Sequence, residues 1–296
     1  MNINPLFSIT GVFATISLVV SAGPILGEMI ATMPPISLFY PRDFEGLAYQ
    51  EVAFPTNDGL TLRGWFFPAN QPNAPAVLYA PATGKDQRQG ISLVEPLHNA
   101  GYAVLLFSYR GSGKSDGNRL GFSYGARESL DIDAAVRYLS ETRGIQRIGA
   151  IGHSAGAVSI ILSAARNPKI DAVVAAASYT TLKEVWKDNR PVIIPVKYYE
   201  RLELLYQVRK QFSHHLVRPV DEIASIAPRP ILLINGEDDK RISKRRALEL
   251  YEAASEPKQI IWLPDASHAR VRSPGLDLLM PEIVNFLDGA LRGPAL

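Results

Sequence analysis

The sequence predicts an α/β protein: a mostly parallel, doubly wound sheet that opens with an N-terminal β-hairpin and carries a small helical cap. Three observations predict it. Short unbroken apolar runs at 76–80, 102–107 and 172–176 alternate with longer stretches of helical period. Strands apolar on both faces need cover on both faces, which is the situation of a parallel sheet held between two helical layers. The chain has 296 residues, 47% of them hydrophobic, enough for one large core with an appendage.

The elements follow in chain order. Residues 2–27 carry no charged side chain, and the stretch 6–26 has the roughly 20 residues that a bilayer-crossing helix needs. A single N-terminal membrane anchor is the expectation. Val20-Ser21-Ala22 also fits signal-peptidase cleavage, which would leave a secreted or periplasmic chain, although no Lys or Arg precedes the apolar run. A helix packed on the domain surface is the third reading. Residues 1–43 are therefore read as anchor or signal plus a proline-rich linker, and 44–296 as the folded domain. Two alternating runs, 49–54 and 60–67, flank Asn57-Asp58-Gly59 and make the hairpin. Strand 76–80, helix 90–100 and strand 102–107 come next. A helix over 124–143 is expected to bury Leu130, Ile132, Ala135, Val136 and Leu139. Further strands are read at 172–176, 230–234 and 259–263, and helices at 244–254 and 281–291. Between them, 181–227 breaks the alternation and is read as a cap over the strand ends. Its helix places Tyr198, Leu202, Leu205 and Phe212 on one face, with Arg201, Glu203, Arg209 and Lys210 largely on the other.

The chemistry concentrates in residues 147–162, an apolar run followed by Gly152-His153-Ser154-Ala155-Gly156 and a helix-like continuation. Strand, tight turn and helix is the setting of a nucleophile elbow, with glycines on either side so that the two elements approach without colliding Cβ atoms. A serine hydroxyl needs a base and an orienting acid. Of the five histidines, His268 lies on a loop just past the last strand, whereas His98 falls within a helix and His153 must turn away from the nucleophile. Glu237, Asp238 and Asp239 compete for the acid, all directly after strand 230–234. The order Ser154, Asp239, His268 differs from that of the two common serine-protease folds.

With these residues in place the chain resembles the α/β-hydrolase superfamily, the broad group of esterases, lipases and acyl-peptidase-like enzymes, over about residues 46–291. Further matches are Asp58-Gly59 with Gly64-Trp65, the segment 109–117, and the segment 228–236 leading to Asp239. The resemblance implies that the acid stands three residues after Gly236, which selects Asp239. It also implies an oxyanion hole from the backbone N–H groups of Ala155 and Thr83, with Ala82 and Gly84 as one-residue alternatives to Thr83. Here Pro81-Ala82-Thr83-Gly84 replaces the usual His-Gly, and Asn235-Gly236 replaces a second one.

Other features exclude rather than propose. A net charge of +2 from 31 Lys+Arg and 29 Asp+Glu gives no argument for a nucleic-acid partner. With no cysteine, disulfides, thiolate catalysis and Cys-based zinc sites are excluded. Gly113-Lys114-Ser115 imitates a phosphate loop, but Ser108 stands where its first glycine belongs. His214-His215 are expected to diverge and to hold no metal. The expectation is a serine hydrolase that cleaves carboxylic esters, acts on a small-molecule or lipid-like acyl substrate, and needs no cofactor. Peptidase, amidase, thioesterase or acyltransferase chemistry on the same triad is the alternative, as is a catalytically silent binding protein.

Overall fold

The computed structural model describes residues 47–190 and 196–293. The anchor, signal and linker readings of 1–43 lie outside the described residues. Among the described residues, no helix is long and apolar enough to cross a membrane.

The hairpin is β1 (Gln50–Pro55) and β2 (Thr61–Phe67), turned at Gly59 with φ 85°. Then follow β3 (Ala76–Ala80), α1 (Ile91–Asn99), β4 (Ala103–Ser108), α2 (Glu128–Arg137), β5 (Ile148–His153), α3 (Ala155–Arg166) and β6 (Ala172–Ala176). The cap segment supplies α4 (Leu182–Asp188) and α5 (Val196–Lys210). The chain closes with β7 (Ile231–Gly236), α6 (Lys244–Ala253), β8 (Lys258–Leu263) and α7 (Met280–Leu291). The eight strands form one sheet in the order β1-β2-β4-β3-β5-β6-β7-β8, antiparallel at β1/β2 and β2/β4 and parallel elsewhere.

Every residue of β3, β4, β5, β6 and β7 is buried, while edge strand β1 alternates. The two cores divide by strand parity: Leu78 and Ala150 face α2 and α3, whereas Val77, Tyr79 and Ile151 face α1 and α7. At Gly149 a Cβ would stand 2.9 Å from the Leu287 side chain of α7, so that helix packs its leucines directly on the strand backbone. Helix α3 is buried from Ala155 through Ala164, the mark of a helix wedged into the core rather than laid upon it.

This order contains a switch point. The chain leaves β3 toward β4 and later returns on the opposite side of β3 as β5. Loops from β3 and β5 therefore diverge and leave a crevice at their carboxyl ends, where ligands of open α/β sheets bind.

Two packing expectations are corrected. Helix α2 begins only at Glu128, because Tyr124 (φ 57°) and Gly125 (φ 118°) hold left-handed backbone. Leu130 is 47% exposed, while Glu128 and Asp131 are fully buried. Glu128 accepts hydrogen bonds from the Ser123 and Gly125 N–H groups and the Ser123 hydroxyl, and Asp131 pairs with Arg110. Polar residues that satisfy backbone and ion partners take the inner face, which apolar periodicity alone does not foresee. On α5, Leu205 is 57% exposed, and Tyr206 and Gln207 are buried instead. Tyr206 joins Trp186 and Phe212 in an aromatic cluster over Tyr124, and this cluster sets the rotation of the helix. The side chains of Tyr198, Leu202, Arg209 and Lys210 lie outside the described residues.

Candidate active site

Ser154 joins β5 to α3 at φ 56° and ψ −121°, a backbone region that costs a non-glycine residue about 1–3 kcal/mol. The surroundings enforce it. Its N–H donates to the Ala176 carbonyl at 2.8 Å, and its carbonyl accepts from Val158 at 3.1 Å. A Cβ on Gly156 would lie 2.1 Å from the Ala80 carbonyl oxygen, and one on Gly152 would lie 2.6 Å from the Gly156 backbone. The two flanking glycines thus let α3 press against the end of β3, and this close approach sets the elbow beside the loop after β3.

The three side chains predicted from the sequence stand in one line. Asp239 Oδ2 lies 2.8 Å from His268 Nδ1, and His268 Nε2 lies 3.1 Å from Ser154 Oγ. The Asp239 side chain is wholly buried, and its Oδ1 accepts the N–H groups of Arg241 and Ile242 at 2.8 and 2.9 Å. Asp238, its rival in the sequence, is exposed. The histidine loop reaches its place by crossing over the end of β7. A Cβ on Gly236 would lie 2.0 Å from the Ala266 carbonyl oxygen, so a side chain there would push the loop away.

His153 has a place that sequence reasoning missed. Its Nε2 lies 3.1 Å from the His268 carbonyl oxygen, so Nε2 carries the proton and donates. Burial, reinforced by the neighbouring His268, pushes its pKa down to about 3, so the ring is neutral. His153 tethers the backbone of the residue whose ring faces Ser154. A histidine beside the elbow serine was the available signal, but its partner lies 115 positions away.

The loop after β3 is a tight turn, with the Lys85 N–H on the Ala82 carbonyl at 3.1 Å and Gly84 at φ 66°. The Ala82 N–H is committed to Gln89 Oε1 at 2.7 Å, so of the three candidate amides Ala82 is removed. Thr83 and Gly84 remain. Arg272 braces this loop against the histidine loop. Only 7% exposed, it donates to the Tyr79 hydroxyl at 2.9 Å, to the Gln89 carbonyl, and to Ser92 Oγ at 3.2 Å.

The sequence profile of the prolyl oligopeptidase family matches residues 90–292, which span α1 through α7. The chain belongs to the prolyl oligopeptidase family. Within that family's α/β-hydrolase superfamily it is a hydrolase by fold and kinship. It is 30% identical to an uncharacterized protein of Mycobacterium tuberculosis, over 75% of this chain and 73% of that one. A polyketide transferase of Stachybotrys chlorohalonatus is 25% identical, over 74% of this chain and 89% of that protein. Among solved structures, the esterase Pf2001 of Pyrococcus furiosus superposes with a TM-score of 0.69 at 25% identity, covering 86% of this chain and 98% of that chain.

The remaining sequence candidates lie elsewhere. His98 Nε2 contacts the Pro68 carbonyl at 3.2 Å. His214 and His215 do not diverge: their ring centroids are 4.2 Å apart, and the Gln207 side chain holds His214 Nδ1 at 2.7 Å. Among the described residues, no group of three or more His, Asp and Glu side chains is placed to hold a metal ion. Ser115, at the phosphate-loop imitation, donates its hydroxyl to the Ser108 carbonyl at 2.7 Å and so stitches a turn.

Proposed function

We propose that the chain is a serine hydrolase that cleaves carboxylic esters through an acyl-enzyme. The observation that carries this reading is the continuous hydrogen-bonded line from the Asp239 carboxylate through the His268 ring to the Ser154 hydroxyl. With Nδ1–H held by Asp239, the lone pair of His268 Nε2 faces Oγ and takes its proton as Oγ bonds to the substrate carbonyl carbon. The resulting oxyanion is met by the N–H groups of Ala155 and Thr83. The imidazolium then returns the proton to the alkoxy oxygen as the carbon–oxygen bond breaks and the alcohol leaves. Water, deprotonated by the same ring, releases the acid and restores Ser154. Nothing in this sequence of steps draws on a metal or cofactor.

Esters are favoured because an alkoxide leaves more readily than an amine, and the esterase likeness supports that choice. The family's peptidase description favours the same attack on a peptide bond, and the polyketide transferase relative favours an acceptor other than water. Turnover of p-nitrophenyl acyl esters of rising chain length, beside matched p-nitroanilides, tests the reading. Ser154→Ala is expected to lose at least about 10³-fold in kcat, together with labelling by a fluorophosphonate probe. Full activity in that variant would remove Ser154 from the chemistry, and anilide turnover exceeding ester turnover would move the reading to peptides.

A further inference from the structure

A cleft of about 640 Å³ runs between the segment after β3 and the segment after His268, with Lys85, Gln89, Ile91 and Arg272 in its walls. It begins two residues past Thr83 and four past His268, and it is joined to the turn at Thr83 through the Gln89 side chain on the Ala82 N–H. One wall is held in place, since Arg272 is fixed by Tyr79, Gln89 and Ser92.

The charges in these walls nearly cancel. Arg88 forks onto the buried Asp86, with Nε on Oδ1 at 2.9 Å and Nη2 on Oδ2 at 2.7 Å. Arg272 faces Asp277 at 3.3 Å, and that carboxylate also accepts the Ser92 and Ser273 hydroxyls at 2.7 and 3.1 Å. Lys85 is exposed and has no ion-pair partner among the described residues. Among the described residues, the charge left over in the cleft is therefore the Lys85 ammonium.

We propose that this cleft is the subsite for the leaving-group side of the substrate, and that the group it takes bears an anion, in its simplest form a carboxylate, set against Lys85. The inference rests on the serine-hydrolase reading. His268 must face the leaving oxygen to return its proton, and the cleft lies along the segment that continues from His268. On this proposal a leaving group that extends past the histidine enters the cleft between Arg272 and Lys85. Because Lys85 is exposed, the ion pair is modest and is screened by salt.

The test compares 3-(4-acetoxyphenyl)propanoate with its methyl ester. The two share an acetyl group and nearly equal phenol leaving groups, and they differ in one negative charge. The full-length protein is expected to show a higher kcat/KM for the carboxylate, with the preference eroded by added salt. Lys85→Gln is expected to lower the ratio of the two kcat/KM values about fivefold, Lys85→Glu to lower it further, and Lys85→Arg to retain it. Turnover of both esters with a ratio indifferent to residue 85 overturns the subsite and leaves the hydrolase reading standing. Fluorophosphonate labelling of Ser154 without turnover of either ester also overturns the subsite. Absence of both labelling and turnover overturns the serine-hydrolase reading and the subsite with it.

Discussion

His153 makes the stability of this protein depend on pH in a way that one substitution isolates. Its Nε2–H is spent on the His268 carbonyl, and its Nδ1 is buried without a partner among the described residues. Charging the ring would place an unpaired cation in the core, and this desolvation is the main reason its pKa falls from 6.5 to about 3. The unfolded chain takes up the proton at the ordinary value and the folded chain does not. Stability is therefore fully present above pH 6.5 and is lost as pH falls from there toward the folded value. One such group costs about 1.4 kcal/mol per pH unit inside that window, so between pH 8 and pH 5 the loss is about 2 kcal/mol. In His153→Gln the side-chain amide keeps a donor near the His268 carbonyl and cannot be charged.

Urea unfolding of both proteins at half-unit steps from pH 8 to pH 5 reads the difference directly. The wild type is expected to lose about 2 kcal/mol more than His153→Gln over that range, with equal denaturant slopes. The remaining titratable groups contribute to both proteins and cancel in the comparison. Parallel curves for the two proteins would refute a neutral, unpartnered His153.

Two further outcomes follow from side chains near the site. Asp239→Asn is expected to lower kcat on the order of 10⁴-fold, because the amide no longer holds His268 in the tautomer that faces Ser154. Asp238→Asn, at an exposed position, should stay within about twofold, and equal losses in a side-by-side assay would show that the acid is misassigned. Arg272→Met removes charge-assisted bonds to Tyr79, Gln89 and Ser92, and it should shift the urea midpoint by the equivalent of about 2–3 kcal/mol. Arg272→Lys should recover only part of this, since one ammonium cannot span the fork, and an unshifted midpoint in Arg272→Met would discard the brace.

Most elements were legible because apolar period reports burial directly. The runs at 76–80 and 172–176 are strands at those positions, and the helix expected over 244–254 is α6 (Lys244–Ala253). The rule failed where burial was won by polar contacts or by aromatic packing. Leu130 yielded the inner face of α2 to Glu128 and Asp131, whose carboxylates satisfy backbone N–H groups and Arg110. Leu205 yielded that of α5 to Tyr206, drawn in by aromatic partners from two other segments. Apolar period carries no record of partners far along the chain.

The sequence by itself determined the sheet and the chain order of the three candidate site residues, because parallel strands deliver their carboxyl-end loops to one edge whatever the details of packing; among Glu237, Asp238 and Asp239, the family resemblance made the choice. Ser154, Asp239 and His268 each follow a strand, so a local reading could find them. Only the tertiary structure decided what holds and surrounds them: the strained turn forced by Gly156 against Ala80, the His153 tether under His268, the Gln89 side chain that takes the Ala82 amide, and the Arg272 brace beside Lys85. The physical reason is range. A strand or helix is encoded by residues within a few positions of one another, whereas the Gly156, His153 and Arg272 contacts join segments far apart in the chain that folding alone brings together.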